Sequence, residues 1–167
     1  RHADRDLFDT MLETARKEGD RQKRGRVLGA LGEIRDPLLA REALELLLEE
    51  GVDPREAFDL AGRMSRGRET RALLWAFLEE NWVAVTERLP RSAVAYLPYM
   101  ARRTCDPERG AALEAFLRPR VAEVDGGPRS LEQALEQVDQ CVARRAAQRD
   151  SAVDLLRREA SGSGDSD

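Results

Sequence analysis

A chain of 167 residues is long enough for one domain that buries roughly two thirds of the surface its unfolded form exposes. Its formal net charge of -4 is spread over 36% charged residues of both signs, which describes a solvated surface and excludes a polyanion or anionic-membrane binder. No apolar run approaches the ~20 residues of a membrane span and no leader pattern opens the chain, so neither nucleic acid nor membrane is an expected partner.

Ala, Leu, Glu and Arg dominate, Ile occurs once and aromatics make up 5% of the residues, so the composition favours side chains that lose little rotamer freedom in a helix. Apolar residues then recur at three and four positions. Leu7, Phe8, Met11, Leu12 and Ala15 predict a first helix, and Val27, Leu28, Leu31 and Ile34 a second, with Gly25, Gly29 and Gly32 spaced like small helix-packing residues. Asp36-Pro37, Asp53-Pro54 and Asp106-Pro107 place a capping carboxylate before a residue whose fixed φ suits the first helical turn. The helix after Asp36 carries Leu39 to Leu48 and ends at Gly51, and the helix after Asp53 carries Phe58 to Met64 and ends near Gly67.

Next come Leu73 to Leu78, a separate segment at Trp82-Val83-Val85, then Val94-Leu97-Met100 and Leu113 to Val121. Ser130 with Gln133 reads as a capping box opening a helix through Leu131, Leu135, Val138 and Val142, and Val153-Leu155-Leu156 marks a last helix. No period-two alternation predicts a strand. About nine or ten short helices must bury their stripes on sequence neighbours, and the expected fold is all-α: an irregular α-solenoid of antiparallel helix hairpins, of HEAT or armadillo type, over residues 1–160 with a flexible tail at 161–167. A strict 33- or 34-residue period is missing, so ankyrin and tetratricopeptide arrays are set aside, and a plain helical bundle stays open as the alternative to the solenoid.

Catalytic chemistry finds little to work with. His2 is the only histidine and stands at the extreme N-terminus. The carboxylate pairs Glu49-Glu50 and Glu79-Glu80 point in different directions on a helix, and Glu132, Glu136 and Gln140 form a solvated face. Cys105 and Cys141 lack a C-x-x-C spacing and sit among apolar neighbours, so they read as small buried hydrophobes rather than as a disulfide or a metal site, with a lean to a reducing compartment. Arg63, Arg66, Arg68 and Arg71 form the densest basic cluster, where one helix gives way to the next. Favourable contact with a helix C-terminus explains them, with an anion site, for instance for a peptide carboxylate, as the sharper reading.

The stretch from Gly67 to Trp82, Gly-Arg-Glu-Thr-Arg-Ala-Leu-Leu-Trp-Ala-Phe-Leu-Glu-Glu-Asn-Trp, resembles the C-terminal domain of the aminopeptidase N and puromycin-sensitive aminopeptidase family of zinc metallo-aminopeptidases. Both tryptophans lie in it: Trp75, Phe77, Asn81 and Trp82 form the structural motif, with Asn81-Trp82 expected to open the next helix by a cap and an apolar anchor. Leu28-Gly29-Ala30-Leu31 leading to Asp36-Pro37-Leu38-Leu39, then Glu114 to Leu117 and Leu131 to Glu136, follow in the family's order, so the likeness covers roughly residues 20 to 158.

The resemblance implies a parent enzyme that removes N-terminal residues from peptides with one zinc ion, held by H-E-x-x-H and a distant Glu, while Gly-x-Met-Glu-Asn binds the free amine. Neither motif is present, and the first residue is Arg1 rather than Met, so the chain is expected to be a noncatalytic piece of that enzyme with no cofactor of its own. Its implied partners are the catalytic domain of the same parent chain and the peptide, its implied role to cap the active-site chamber and gate or size substrates, and its expected location cytoplasmic. Arg68 and Arg71 are the expected chamber-facing cations. The competing expectation is a free-standing HEAT-like scaffold that binds another protein on its concave face. The excised-domain reading predicts an apolar face near the N-terminus, at Leu7, Phe8, Met11 and Leu12, with simple packing on the second helix as the alternative.

Overall fold

The computed structural model describes residues 5–162 and is all-helical over that span. His2 and residues 163–167 of the expected tail lie outside the described residues, and Ser161 and Gly162 of that tail belong to the last helix. Eight α-helices and two 3-10 segments are present among the described residues.

The chain runs through α1 (Arg5–Lys17), α2 (Arg21–Leu31), α3 (Pro37–Leu44) with a 3-10 turn at Glu45–Leu47, α4 (Pro54–Met64) and α5 (Arg68–Arg88). It continues through α6 (Arg91–Tyr96), a 3-10 segment at Leu97–Arg103, α7 (Pro107–Val121) and α8 (Gly127–Gly162). The three Asp-Pro starts act as read: Asp36 accepts from the N–H groups of Leu38 and Leu39, Asp53 from Arg55 and Asp106 from Arg109, each with Pro in the first turn. Asp20 does the same for α2 without a following Pro, accepting from Gln22 and Lys23.

Three expectations on helix boundaries are corrected. The two segments expected around Leu78 and Trp82 form one helix, α5, kinked at Asn81 (φ -118°, ψ 20°). The side chain of Asn81 does not cap a new helix. Its amide donates to the Phe77 carbonyl one turn back at 3.0 Å. The last two expected helices are likewise one, since α8 meets no Gly or Pro between Arg129 and Ala160 to stop it. It starts at Gly127, three residues before the Ser130 capping box. Gly126 supplies the left-handed turn with φ +80°, and a Cβ on Gly127 would stand 2.7 Å from the Val121 carbonyl oxygen.

One continuous apolar core runs from Phe8 to Ala134, with Trp75, Phe77, Leu74 and Leu78 of α5 among its fully buried side chains. Helices pack on the next helix or the next but one: α1 packs on α2, α2 on α4, α3 and α4 on α5, while α6, α7 and the Leu97–Arg103 segment all lie against α8. Of the apolar N-terminal face, Phe8 and Leu12 are buried and Met11 packs against the core, leaving Leu7 alone exposed. That face is consumed inside the domain instead of awaiting a partner.

The glycines of α2 divide in role. A Cβ on Gly32 would lie 2.9 Å from the Arg63 Cβ and 3.0 Å from the Leu60 carbonyl oxygen, so α2 and α4 touch backbone to backbone there. Gly29 faces only the far end of the Arg63 side chain, and Gly25 has nothing within 4 Å. Beside this contact Glu56, 6% exposed, is held by Arg24 at 2.5 Å and Arg21 at 3.2 Å, which answers its buried charge.

Cys105 and Cys141 correct the expectation of free, buried thiols: they form a disulfide with Cα atoms 5.3 Å apart. Both are half-buried, and the bridge spans 36 positions because α8 returns along the Leu97–Arg103 segment, a proximity no local spacing announces.

Gly25→Ala is expected to raise unfolding free energy by about 0.5–1 kcal/mol through helix propensity, and Gly32→Ala to lower it by about 1–3 kcal/mol because two helices must part. Urea titrations of the two variants check the opposite signs. Thiol titration in denaturant without reductant should find no reactive cysteine. After reduction it should find both, with stability lower by roughly 2–4 kcal/mol, and two free thiols before reduction would refute the bridge.

Candidate functional site

Helix α5 organises the site because it is buried along one flank and opens into a cleft at its N-terminal end. Arg68, Arg71, Ala72 and Trp75 of α5 form one wall. Thr104, Cys105, Asp106 and Arg109, where the 3-10 segment passes into α7, form the second, and Arg145 of α8 closes the third. The cleft measures about 450 Å³, within the range of small-molecule sites. The two cations singled out in the sequence therefore share one cavity, and the structure adds Arg109, Arg145 and Asp106, which the sequence reading missed. Arg145 could not be found from spacing, since only the return of α8 brings it to Cys105, whose carbonyl accepts from it at 3.4 Å.

The electrostatics of these arginines differ. Arg109 is answered by Glu79 of α5 at 2.8 Å. The Asp106 carboxylate accepts from the Arg109 backbone N–H as the cap of α7. Arg71 donates to the Ser65 carbonyl at 3.3 Å and has no carboxylate partner among the described residues. Its pKa is lowered, by burial first and then by the nearby charges of Arg103 and Arg68. Helix polarity deepens this cost: Arg68 and Arg71 occupy the first turn of α5, where the dipole disfavours cations, and its N-cap Gly67 offers no side-chain acceptor. The dipole explanation for the basic cluster thus holds for Arg63, in the last turn of α4, and fails for Arg68 and Arg71.

The motif residues fill packing roles. Trp75 is 1% exposed, and its indole N–H has no acceptor among the described residues. Phe77 is fully buried, with the Arg41 guanidinium 5.2 Å from its ring centroid. Trp82 meets the edge of Phe116 of α7 at 5.4 Å, so the residue after the kink joins α5 to the C-terminal helices.

Of the acids singled out in the sequence, Glu49 pairs with Arg16, Glu80 with Arg41, and Glu132 with Arg118. Adjacent Glu79 and Glu80 reach different helices, as their spacing requires. Zinc does not fit the described side chains: the two cysteines are bridged, and no three of His, Cys, Asp and Glu gather among the described residues. No described helix is long and apolar enough to cross a membrane.

Comparison with known proteins places this architecture. Residues 1–140 match the family model described as ERAP1-like C-terminal domain. The chain is 29% identical over 133 residues to aminopeptidase M1-B of Oryza sativa subsp. japonica, and 28% identical over 134 residues to aminopeptidase M1-C of the same plant. Each match covers 78% of this chain and 15% of the relative, so the chain spans about 15% of the length of the curated relatives it matches. The kinked, tryptophan-bearing α5 and the helices packed around it belong to a member of the ERAP1-like C-terminal domain family, related to the aminopeptidases.

Proposed function

We propose that this chain is the noncatalytic C-terminal domain of a zinc-dependent aminopeptidase that removes N-terminal residues from peptides, and that it caps the active-site chamber and gates or sizes the peptides that enter. The observation that carries the reading is the family match over residues 1–140 in a chain that aligns with only 15% of each aminopeptidase relative. In this reading the domain is a component, and the chemistry would lie in a part of the proposed parent that this chain does not span.

Two physical features support the assignment, and the zinc of the proposed parent would be held outside the described residues, which gather no ligand set for it. The sequential layering of helices on their chain neighbours suits the irregular HEAT-like solenoid proposed for the domain, a shape that leaves a curved face to line a chamber. Arg68 and Arg71, gathered in one cleft, are the proposed chamber-facing cations, with the catalytic domain of the same parent chain and the peptide as the partners. A cytoplasmic setting is the element on which the disulfide bears, because such bridges persist mainly in oxidising surroundings. Alkylating the thiols during extraction discriminates the two compartments.

The full-length protein is expected to release N-terminal residues from peptides in a manner abolished by a zinc chelator. Double substitution of Arg68 and Arg71 by Gln should alter its dependence on peptide length while leaving turnover of a single-residue amide substrate within a few-fold. Activity absent from the full-length protein, with a stable complex to another protein instead, would favour the scaffold.

A further inference from the structure

We propose that the Cys105–Cys141 bridge is a thiol-controlled latch: a thiol of the glutathione class opens it in the folded chain, and opening releases the turn of α8 that carries Arg145 from the start of α7. The inference goes beyond the aminopeptidase reading and is tested on the chain itself, so it survives or fails independently of any peptidase activity.

The bridge stands where α8 leaves the body of the domain. Leu131, Ala134 and Val138, all before Cys141, are buried. Val138 lies so close to α7 that a Cβ on Gly110 would stand 3.0 Å from its Cγ1. Beyond Cys141, Val142 is half-buried, and residues 143–149 and 151–158 are exposed. Arg145 reaches back to the Cys105 carbonyl at 3.4 Å, a long and therefore weak contact. The covalent link thus marks the boundary between the packed and the exposed halves of α8. Opening it leaves the buried half seated on α7, so the effect falls on the turn after Cys141.

The surroundings favour reduction. Both cysteines are half-buried, and Cys105 lines two clefts, one of about 450 Å³ against α5 and one of about 720 Å³ beside the exposed half of α8, so a small thiol has two approaches to the bridge. Arginines line both: Arg71, Arg109 and Arg145 are in the first, Arg145 and Arg149 in the second. Among the described residues Asp106 is the one acid lining either cleft, and its carboxylate is engaged as the cap of α7, while Glu79 answers Arg109. Cys105 also immediately precedes that cap, at the positive end of a 15-residue helix. Cations and helix N-termini stabilise thiolates, and a stabilised thiolate both leaves faster and makes its disulfide easier to reduce.

The exchange is balanced by two glutathione molecules. The first, as thiolate, attacks the Cys105 sulfur. The Cys105–Cys141 bond breaks, and Cys141 leaves with the electron pair and takes a proton. The second attacks the glutathione sulfur of the mixed disulfide, Cys105 departs and is protonated, and oxidised glutathione carries away the new sulfur–sulfur bond. Reclosure is the same sequence reversed with oxidised glutathione. A bridge of this kind suits the cytoplasmic setting proposed above, where disulfides are mostly transient.

The test incubates the chain, without denaturant, in buffers of increasing reduced-to-oxidised glutathione ratio, traps free thiols by alkylation and counts them by mass. The reduced form should appear at ratios under which a structural bridge stays closed. Arg145→Gln, or about 1 M salt with the native residue, should slow opening about threefold or more, and Arg158→Gln, at an exposed position lining neither cleft, should not. On opening, amide hydrogen exchange over residues 139–149 should accelerate about tenfold or more while residues 74–78 of α5 stay protected. The double variant Cys105→Ser, Cys141→Ser should show the accelerated rates with no thiol added. A bridge that yields only to denaturant overturns the proposal. So does an opening rate indifferent to both Arg145 and salt, or exchange over 139–149 that is equal in the bridged, reduced and serine forms.

Discussion

Everything in this domain leans on the burial of one helix. Leu74, Trp75, Phe77 and Leu78 occupy consecutive turns of α5 and lose all but a trace of their exposure. Each large apolar side chain withdrawn from water contributes roughly 1.5–3 kcal/mol. The α3 and α4 helices pack on it directly. Its C-terminal end is fastened by Arg88, which donates to the carbonyls of Leu47, Glu49 and Val52 and so supplies partners to a turn that has left regular helix. Arg109 and Phe116 of α7 reach it from the other side through Glu79 and Trp82.

A helix so loaded has little freedom at its N-terminal end, and that rigidity bears on the cleft. The same turn carries the buried Thr70, whose hydroxyl donates to the Met64 carbonyl at 2.7 Å.

The sequence made the helices and their caps legible because both are local. Asp followed by Pro marks an N-terminus by chemistry contained within four residues, and all three instances act that way. The 3-and-4 periodicity exposed the buried stripe of nearly every helix, Leu113, Leu117 and Val121 of α7 among them. What escaped depends on contacts between distant segments. Asn81 breaks the regular φ and ψ of α5 while its own amide bridges the fault, so a residue that reads as a cap serves as a splice. Arg145 joins the cleft, and Cys141 meets Cys105, only because α8 folds back over the 3-10 segment.

That covalent link changes the topology of the C-terminal third. The chain from Cys105 to Cys141 is a closed ring that contains α7, the Gly126 turn and the first half of α8. It includes the turn at Asp125 and Gly126, both exposed, where accessibility invites a protease. A cut there would nick the ring without parting it, leaving α7 and α8 bound to each other by sulfur and packing. Fragments from such a cut would separate only once a reductant opened the bridge, and the domain could outlast an injury to its backbone that would divide an unbridged relative in two.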